Sequence, residues 1–337
     1  MPSARTTLTE VATALGCLHL PSLDWAVIQR PALVGVSAGE WDQLDGELMS
    51  ARGRAIAEAA FANGQHFLEH PDALRGRLPS TVEWTGGRKL PGDQAIPADL
   101  RIDHVYLVSC KYLSRILLNT APTRLFDGLL QPGIRHERRD WYELVAPAEH
   151  QAFAEAAARS FGLRCSTTDG GLDAATRAAL KRSFGRHARL EGDVAEAYAD
   201  MCAAVSTRSA LRWAARLHSK GGRAREDLIW RMLRLASGTY YVLGVSPTGE
   251  SLRIRVMTPW DWRQRHELRA FDIEPDDAGQ PQVRWAATVL DRESGTDVVV
   301  QGHVEVRWSH GRFGGPPEAK VYLDTPPAEV PGYVPLT

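Results

Sequence analysis

The chain has 337 residues, 44% of them hydrophobic and 24% charged, and a formal net charge of -1. That length suits two modules or one enlarged α/β unit, and the composition excludes collagen-like, low-complexity and mostly disordered chains. No apolar run reaches the ~18 residues of a membrane span, and MPSARTTLTEVATALGCLHL is too interrupted for a secretion signal, so a cytoplasmic protein with no membrane partner is expected.

In chain order, the segment to about Val36 mixes short apolar pieces with Pro21 and Pro31 and reads as irregular packing or a short helical arm without evident chemistry. From Glu40 to about Leu68 strong helix formers predominate. Ser37 followed by Glu40 has capping-box spacing, which predicts one long amphipathic helix ended by Pro71. Pro79, Pro91, Pro97, Gly86, Gly87 and Gly92 then permit a short strand at Val82–Trp84 followed by a loop. Two strands follow, Asp99–Ile102 and Val105–Lys111, with Asp103 and His104 at a tight turn; a single unbroken strand is the competing reading. Tyr112 to Leu130, rich in Leu and Arg, predicts one or two helices, and Pro147 to Ala236 predicts four or five more. From Thr239 the composition shifts to Val, Thr, Tyr and Trp, which predicts strands near 240–245, 252–257, 269–273, 283–290, 297–308 and 320–323 in a mostly antiparallel sheet, before a proline-stiffened tail.

The run Pro97-Ala-Asp-Leu-Arg-Ile-Asp-His-Val-Tyr-Leu-Val-Ser-Cys-Lys111 is the most informative, because it sets a carboxylate and a lysine at the polar ends of neighbouring apolar strands. Over about residues 40–130 the sequence resembles the PD-(D/E)xK nuclease superfamily, with its restriction-endonuclease-like fold. Pro97-Ala-Asp99 stands for the first half of the motif and Ser109-Cys110-Lys111 for the second, a serine-x-lysine variant in which Ser109 replaces the usual acid. The resemblance implies hydrolysis of phosphodiester bonds assisted by Mg2+, with Mn2+ as a substitute. It makes Asp99 the principal metal ligand, Lys111 the group that positions or deprotonates the attacking water, and Ser109 the occupant of the missing acid's place. A helix glutamate often completes such sites, and Glu47 is the better candidate over Glu58, because Arg54 on the same helical face can neutralise it. A solvated Glu/Arg face is the alternative account of that helix. Asp103 is the reserve aspartate: it would replace Asp99 if the chain turned after it.

A second acid-lysine set, Asp297 with Glu318-Ala-Lys320, has the literal E-x-K, but its apolar residues follow the lysine instead of leading to it. The intervening turn offers Arg307, Ser309, His310 and Arg312 to phosphates or base edges. Arg208, Arg212 and Arg216, spaced by four, form a helical ridge that with Lys220 could follow a DNA backbone, although such faces are commonly just solvated. Cys17, Cys110, Cys165 and Cys202 form no C-x-x-C pattern, and no P-loop, dinucleotide fingerprint, H-E-x-x-H or G-x-S-x-G is present.

The expected architecture is α/β: a mixed-sheet restriction-endonuclease-like core with an N-terminal arm over 1–145, a basic helical insertion over 146–236 and an antiparallel β-rich region over 237–337. The expected function is a Mg2+-dependent DNA endonuclease acting on double-stranded DNA, in restriction or another defence against foreign DNA, and able to work as a homodimer. The rival is a non-catalytic nucleic-acid-binding or scaffold protein on a decayed nuclease fold, for which Ser109 is the supporting residue.

Overall fold

Polar caps fix where the helices of this chain begin, since a serine or aspartate side chain satisfies backbone N–H groups that the first helical turn leaves without partners. The computed structural model describes the chain except for residues 1–2, 87, 89–95, 113–115, 133–139, 169–170, 186–188, 247–248 and 278. Gly87, Pro91 and Gly92 of the expected loop lie outside the described residues.

Ser3 caps α1 (Ala4–Gly16), Ser22 caps α2 (Leu23–Gln29), Ser37 caps α3 (Ala38–Leu48) and Ser50 caps α4 (Ala51–Glu69). Next come β1 (Val82–Trp84), β2 (Leu100–Ile102), β3 (Tyr106–Tyr112) and β4 (Ile116–Thr120). A π-helical turn at Thr123–Asp127 leads to α5 (Trp141–Val145), α6 (Pro147–Ser160), the small strands β5 (Thr167–Thr168) and β6 (Gly171–Leu172), and α7 (Ala174–Phe184). The long helix α8 (Gly192–Lys220) and α9 (Gly222–Met232) precede β7 (Tyr240–Val245), β8 (Ser251–Val256) and α10 (Pro259–Arg265). The chain finishes with β9 (His266–Asp277), β10 (Pro281–Asp291), β11 (Asp297–Arg307), β12 (Glu318–Leu323), a 3-10 turn at Pro327–Glu329 and β13 (Tyr333–Pro335).

The fold is mixed α/β and divides into two discontinuous units. Unit 1 comprises Met1–Arg115, Leu235–Arg265 and Pro326–Thr337. Its six-stranded sheet has the order β1-β2-β3-β7-β8-β13, in which β3 pairs parallel to β7 and every other neighbour is antiparallel. Leu100, Ile102, Val108, Tyr241 and Leu243 of this sheet share a core with Val11, Leu15, Ala57, Phe61 and Phe67 of α1 and α4. Burying each large apolar side chain there contributes roughly 1.5–3 kcal/mol.

Unit 2 comprises Ile116–Arg234 and His266–Thr325, with the antiparallel sheet order β4-β12-β11-β10-β9. Val283, Trp285, Ala287 and Val289 of β10 and Val300, Val304 and Val306 of β11 are buried at alternate positions, the period of a sheet with one packed face. Helix α8 covers that face, with Trp213 edge-on to Phe271 at 5.8 Å and the Ser206 hydroxyl accepting the Gln282 N–H at 2.9 Å.

Several expectations change. The helix expected over 40–68 is two helices, because the Ser50 side chain accepts the Gly53 N–H at 2.9 Å and starts a new one; the capping box of Ser37 and Glu40 forms as expected. The N-terminal arm contains a regular helix in which every residue from Thr7 to Gly16 is buried, the polar stripe of Thr9, Glu10 and Thr13 included. Within Tyr112–Leu130 the helical expectation gives way to β4, whose Leu118 pairs with Val321, as sheet contacts override helix propensity. The tail adds β13 to unit 1. Accordingly the blocks 1–145, 146–236 and 237–337 are not packing units. β7 and β8 join the first sheet, and β9 to β12 form the second with β4.

Helices α1 and α4 meet at Gly16 and Gly64. A Cβ on Gly64 would lie 2.1 Å from the Thr13 carbonyl oxygen, and one on Gly16 would lie 2.1 Å from the Phe61 carbonyl oxygen. Alanine in place of a helix-interior glycine normally stabilises by about 1 kcal/mol. At Gly64 the clash dominates, so Gly64→Ala is expected to lower stability by about 1–3 kcal/mol in urea unfolding; an unchanged or raised midpoint would contradict the close crossing.

Candidate active site

The β2–β3 hairpin forms around a three-residue turn, Asp103–Val105, with Asp103 and His104 both left-handed at φ 48° and 59°. Asp103 anchors that turn. Its carboxylate accepts the Ser80 and Thr81 N–H groups at 2.7 and 3.0 Å and pairs with Arg77 at 2.6 Å, and those partners hold it below the usual carboxylate range. It stands four residues from Asp99, roughly 13 Å along an extended chain. Asp103 therefore serves the hairpin end remote from Asp99.

At the other end, the Asp99 N–H donates to the Val108 carbonyl at 2.8 Å. Its Oδ2 accepts the Cys110 N–H at 2.6 Å and the Ser109 hydroxyl at 3.3 Å. The aspartate is thus tied to β3 at the serine-x-lysine segment. Ser109 is fully buried. By strand alternation Ser109 and Lys111 share one face of β3, opposite the Val108, Cys110 and Tyr112 that pack with α1 and α4. Lys111 has no ion-pair partner among the described residues. Its backbone is held against Gly244 of β7, where a Cβ would come within 1.7 Å of the Lys111 carbonyl oxygen.

On the face of the sheet that packs with α1, a buried glutamate senses the charges of Asp99 and Lys111. Glu10 is 5% exposed, and its Oε2 accepts the Trp84 indole N–H at 2.6 Å. Burial and then the Asp99 charge raise its pKa to about 7, against the opposing pull of the Trp84 bond and the Lys111 charge. Cys110 has its thiol pushed well above the ordinary range by burial and by the charges of Asp99 and Glu10. Glu47 sits in the last turn of α3, where its carbonyl accepts the Ser50 hydroxyl at 3.0 Å. Glu10 was invisible to motif spacing, yet one signal was available: it is the only carboxylate before Asp24 and lies in an otherwise apolar and threonine-rich run.

Behind the site a buried polar chain runs from α1 to β8. The Thr13 hydroxyl donates to the Thr9 carbonyl at 2.8 Å, which leaves it to accept from the Tyr112 hydroxyl at 3.0 Å. The Asn63 amide donates to Tyr112 and to the Gly244 carbonyl at 3.3 and 2.8 Å, and its oxygen accepts Arg253 Nε at 2.8 Å. With its members satisfied, such a chain fixes the end of β3 that carries Lys111.

The expected DNA ridge is engaged inside unit 2. Arg208 grips Glu149 with both terminal nitrogens at 2.8 and 2.6 Å, and Arg212 chelates Asp127 at 2.5 and 3.0 Å while lying over Trp141. Arg216 donates to the Asp127 carbonyl at 2.9 Å; Lys220 is exposed in the last turn of α8. In the β11–β12 turn Arg307 pairs with Glu305 at 3.2 Å, Ser309 donates to Glu318, Arg312 lies over Phe184 and Tyr198, and His310 is exposed. The second acid-lysine set does not assemble. Asp297 pairs with Leu290 at one end of β11 and Glu318 with Arg307 at the other, ten residues or roughly 33 Å apart.

A carboxyl whose folded pKa is raised binds more protons folded than unfolded between about pH 4.5 and 7. Stability from Glu10 is thus fully present below its unfolded pKa and is lost as the pH rises through 7. Glu10→Gln is expected to flatten this decline and to be the more stable protein at pH 8, by up to about 3 kcal/mol. Urea unfolding from pH 4.5 to 8 measures it, and parallel pH profiles for the two proteins would contradict the buried acid. No protein-family model, curated protein or solved structure matches this chain.

Proposed function

We propose that unit 1 is a restriction-endonuclease-like core that hydrolyses phosphodiester bonds in double-stranded DNA, in restriction or another defence against foreign DNA. The observation that supports this reading is Asp99 at the start of β2, bonded to the Ser109-Cys110 segment of β3 that leads to Lys111, with the buried Glu10 of α1 within electrostatic reach of both charges. The mixed sheet supports it as well, since the acid and the lysine lie on adjacent antiparallel strands and a helix preceding them supplies the second acid.

The donor types fit a hard divalent cation of the Mg2+ class: the carboxylates of Asp99 and Glu10, whose charges act on one another, and the Ser109 hydroxyl are oxygen ligands. Asp99 and Glu10 would hold it, and bound there it would neutralise the charge that develops on the phosphate. Lys111 would orient the attacking water by hydrogen bonding and offset negative charge on the phosphoryl oxygens. Trp84 holds the Glu10 carboxyl by its indole N–H, and the Cys110 N–H and Ser109 hydroxyl hold that of Asp99. Ser109, fully buried and bonded to Asp99, positions that aspartate in place of adding a negative charge.

With the arginine ridge occupied by Glu149 and Asp127, DNA contact falls to other groups, among which Lys220 and His310 are exposed. No helix among the described residues is long and apolar enough to cross a membrane.

Supercoiled-plasmid cleavage with Mg2+ or Mn2+ tests the reading. Asp99→Asn, Glu10→Gln and Lys111→Ala are each expected to lower the rate by about 100-fold or more, with circular dichroism unchanged. Glu47→Gln and Asp297→Asn are expected to cut at the wild-type rate. Full activity in Lys111→Ala would refute the site, and DNA binding by the wild type without cutting under any divalent ion would favour the non-catalytic reading.

A further inference from the structure

Unit 2 holds a second group of ionisable side chains, independent of the site beside β3. Asp140 caps α5, its Oδ1 accepting the Tyr142 N–H at 3.0 Å. Glu143, one turn on, accepts the Leu172 N–H of β6 at 3.3 Å. His150 of α6 turns Nδ1 towards Glu143 Oε1 at 4.0 Å. One donor atom from each of the three residues lies within 4.8 Å of the others.

Arg177 of α7 bridges the two acids, its terminal nitrogens 2.9 Å from Asp140 Oδ2 and 2.6 Å from Glu143 Oε1. One guanidinium against two carboxylates leaves a net charge of about -1 in a largely buried cluster, an arrangement that is costly in low dielectric. His150 is 1% exposed and packed beside Tyr142, Trp308 and Phe313. Among the described residues neither ring nitrogen has a hydrogen-bond partner: Nε2 is buried without one, and Nδ1 faces Glu143 from beyond hydrogen-bond distance. A buried imidazole with no hydrogen-bond partner among the described residues, beside two carboxylates, is a ligand set, and a dication in place of the Arg177 guanidinium would bring the cluster to neutrality.

We propose that Asp140, Glu143 and His150 form a binding site for a divalent transition-metal ion of the zinc class, in which the Arg177 guanidinium is the cation that a metal ion displaces. Mixed imidazole and carboxylate donors select such an ion over Mg2+, which prefers oxygen alone. Ligands about 2.0 Å from a tetrahedral centre lie roughly 3.3 Å apart, so the three donors, now within 4.8 Å of one another, close by about 1.5 Å at most and leave a fourth position to water. The Arg177 side chain is 24% exposed and has solvent to withdraw into.

Zinc chloride titrated into the full chain tests the site, with Asp99→Asn present throughout so that the acids beside β3 do not add a second one. The expected result is one zinc ion per chain by calorimetry, with His150→Gln raising the Kd by at least about tenfold. Arg177→Met is expected to unfold at a lower temperature than its parent without zinc, because the two neighbouring carboxylates lose their counter-charge, and to gain more from zinc than the parent does. The proposal is overturned if zinc leaves the unfolding temperature of Arg177→Met unchanged, or raises it equally in Arg177→Met/His150→Gln. Should Arg177→Met fail to fold, the titration of parent against His150→Gln decides, and equal or absent binding in the two overturns it.

Discussion

Everything at the candidate active site depends on how closely α1 approaches α4. Two glycines, Gly16 and Gly64, meet backbone to backbone there, and neither position has room for a methyl group. Contact at that distance seats Thr13 against Tyr112 and sets Glu10, one turn earlier on α1, within the field of Asp99 and Lys111. Moving the helices apart by the width of one Cβ would loosen the chain from Thr13 through Tyr112 and Asn63 to Arg253, and with it the strand end that carries Lys111. A packing constraint made of the smallest residues thereby sets the geometry of the largest charges.

The two units handle buried charge in opposite ways. In unit 2, Arg208, Arg212 and Arg177 meet Glu149, Asp127, Asp140 and Glu143 directly, so a composition that reads as a basic surface is largely absorbed by internal pairs. In unit 1, Glu10 is buried with an indole N–H as its hydrogen-bond partner and a second carboxylate nearby, and it is shifted towards neutrality. Ion pairs tie elements together at modest net gain. A buried carboxyl shifted towards neutrality, within electrostatic reach of a carboxylate and a lysine, is a different object, since perturbed acids of this kind gather where chemistry or ligand binding uses them.

The sequence made the hairpin legible because its signals are local: turn-prone Asp103-His104 between two apolar strands, with Asp99 and Lys111 at the far ends. The capping box at Ser37 and Glu40 was legible for the same reason. What escaped were features set by distant partners. β4 pairs with β12, about two hundred residues away in the chain, and its leucine-rich composition points to a helix until that partner is present. Helix α1 has its polar stripe, Thr9, Glu10 and Thr13, buried together with its apolar one, which its sequence does not announce, and the carboxylate it delivers has no motif partner within reach. The arginine ridge has the correct helical spacing, but Asp127 and Glu149, which take up its charge, lie roughly sixty to ninety residues earlier. Spacing shows which residues share a face; it does not show what that face meets.

The direct measurement is the Glu10 carboxyl pKa, read by carboxyl-carbon NMR on glutamate-labelled protein in the wild type, Asp99→Asn and Lys111→Ala. A site in which the three groups act on one another places the wild-type value near 7, lowers it when Asp99 loses its charge and raises it when Lys111 does. A value close to 4.5 that neither substitution moves would show that Glu10, Asp99 and Lys111 do not form one site.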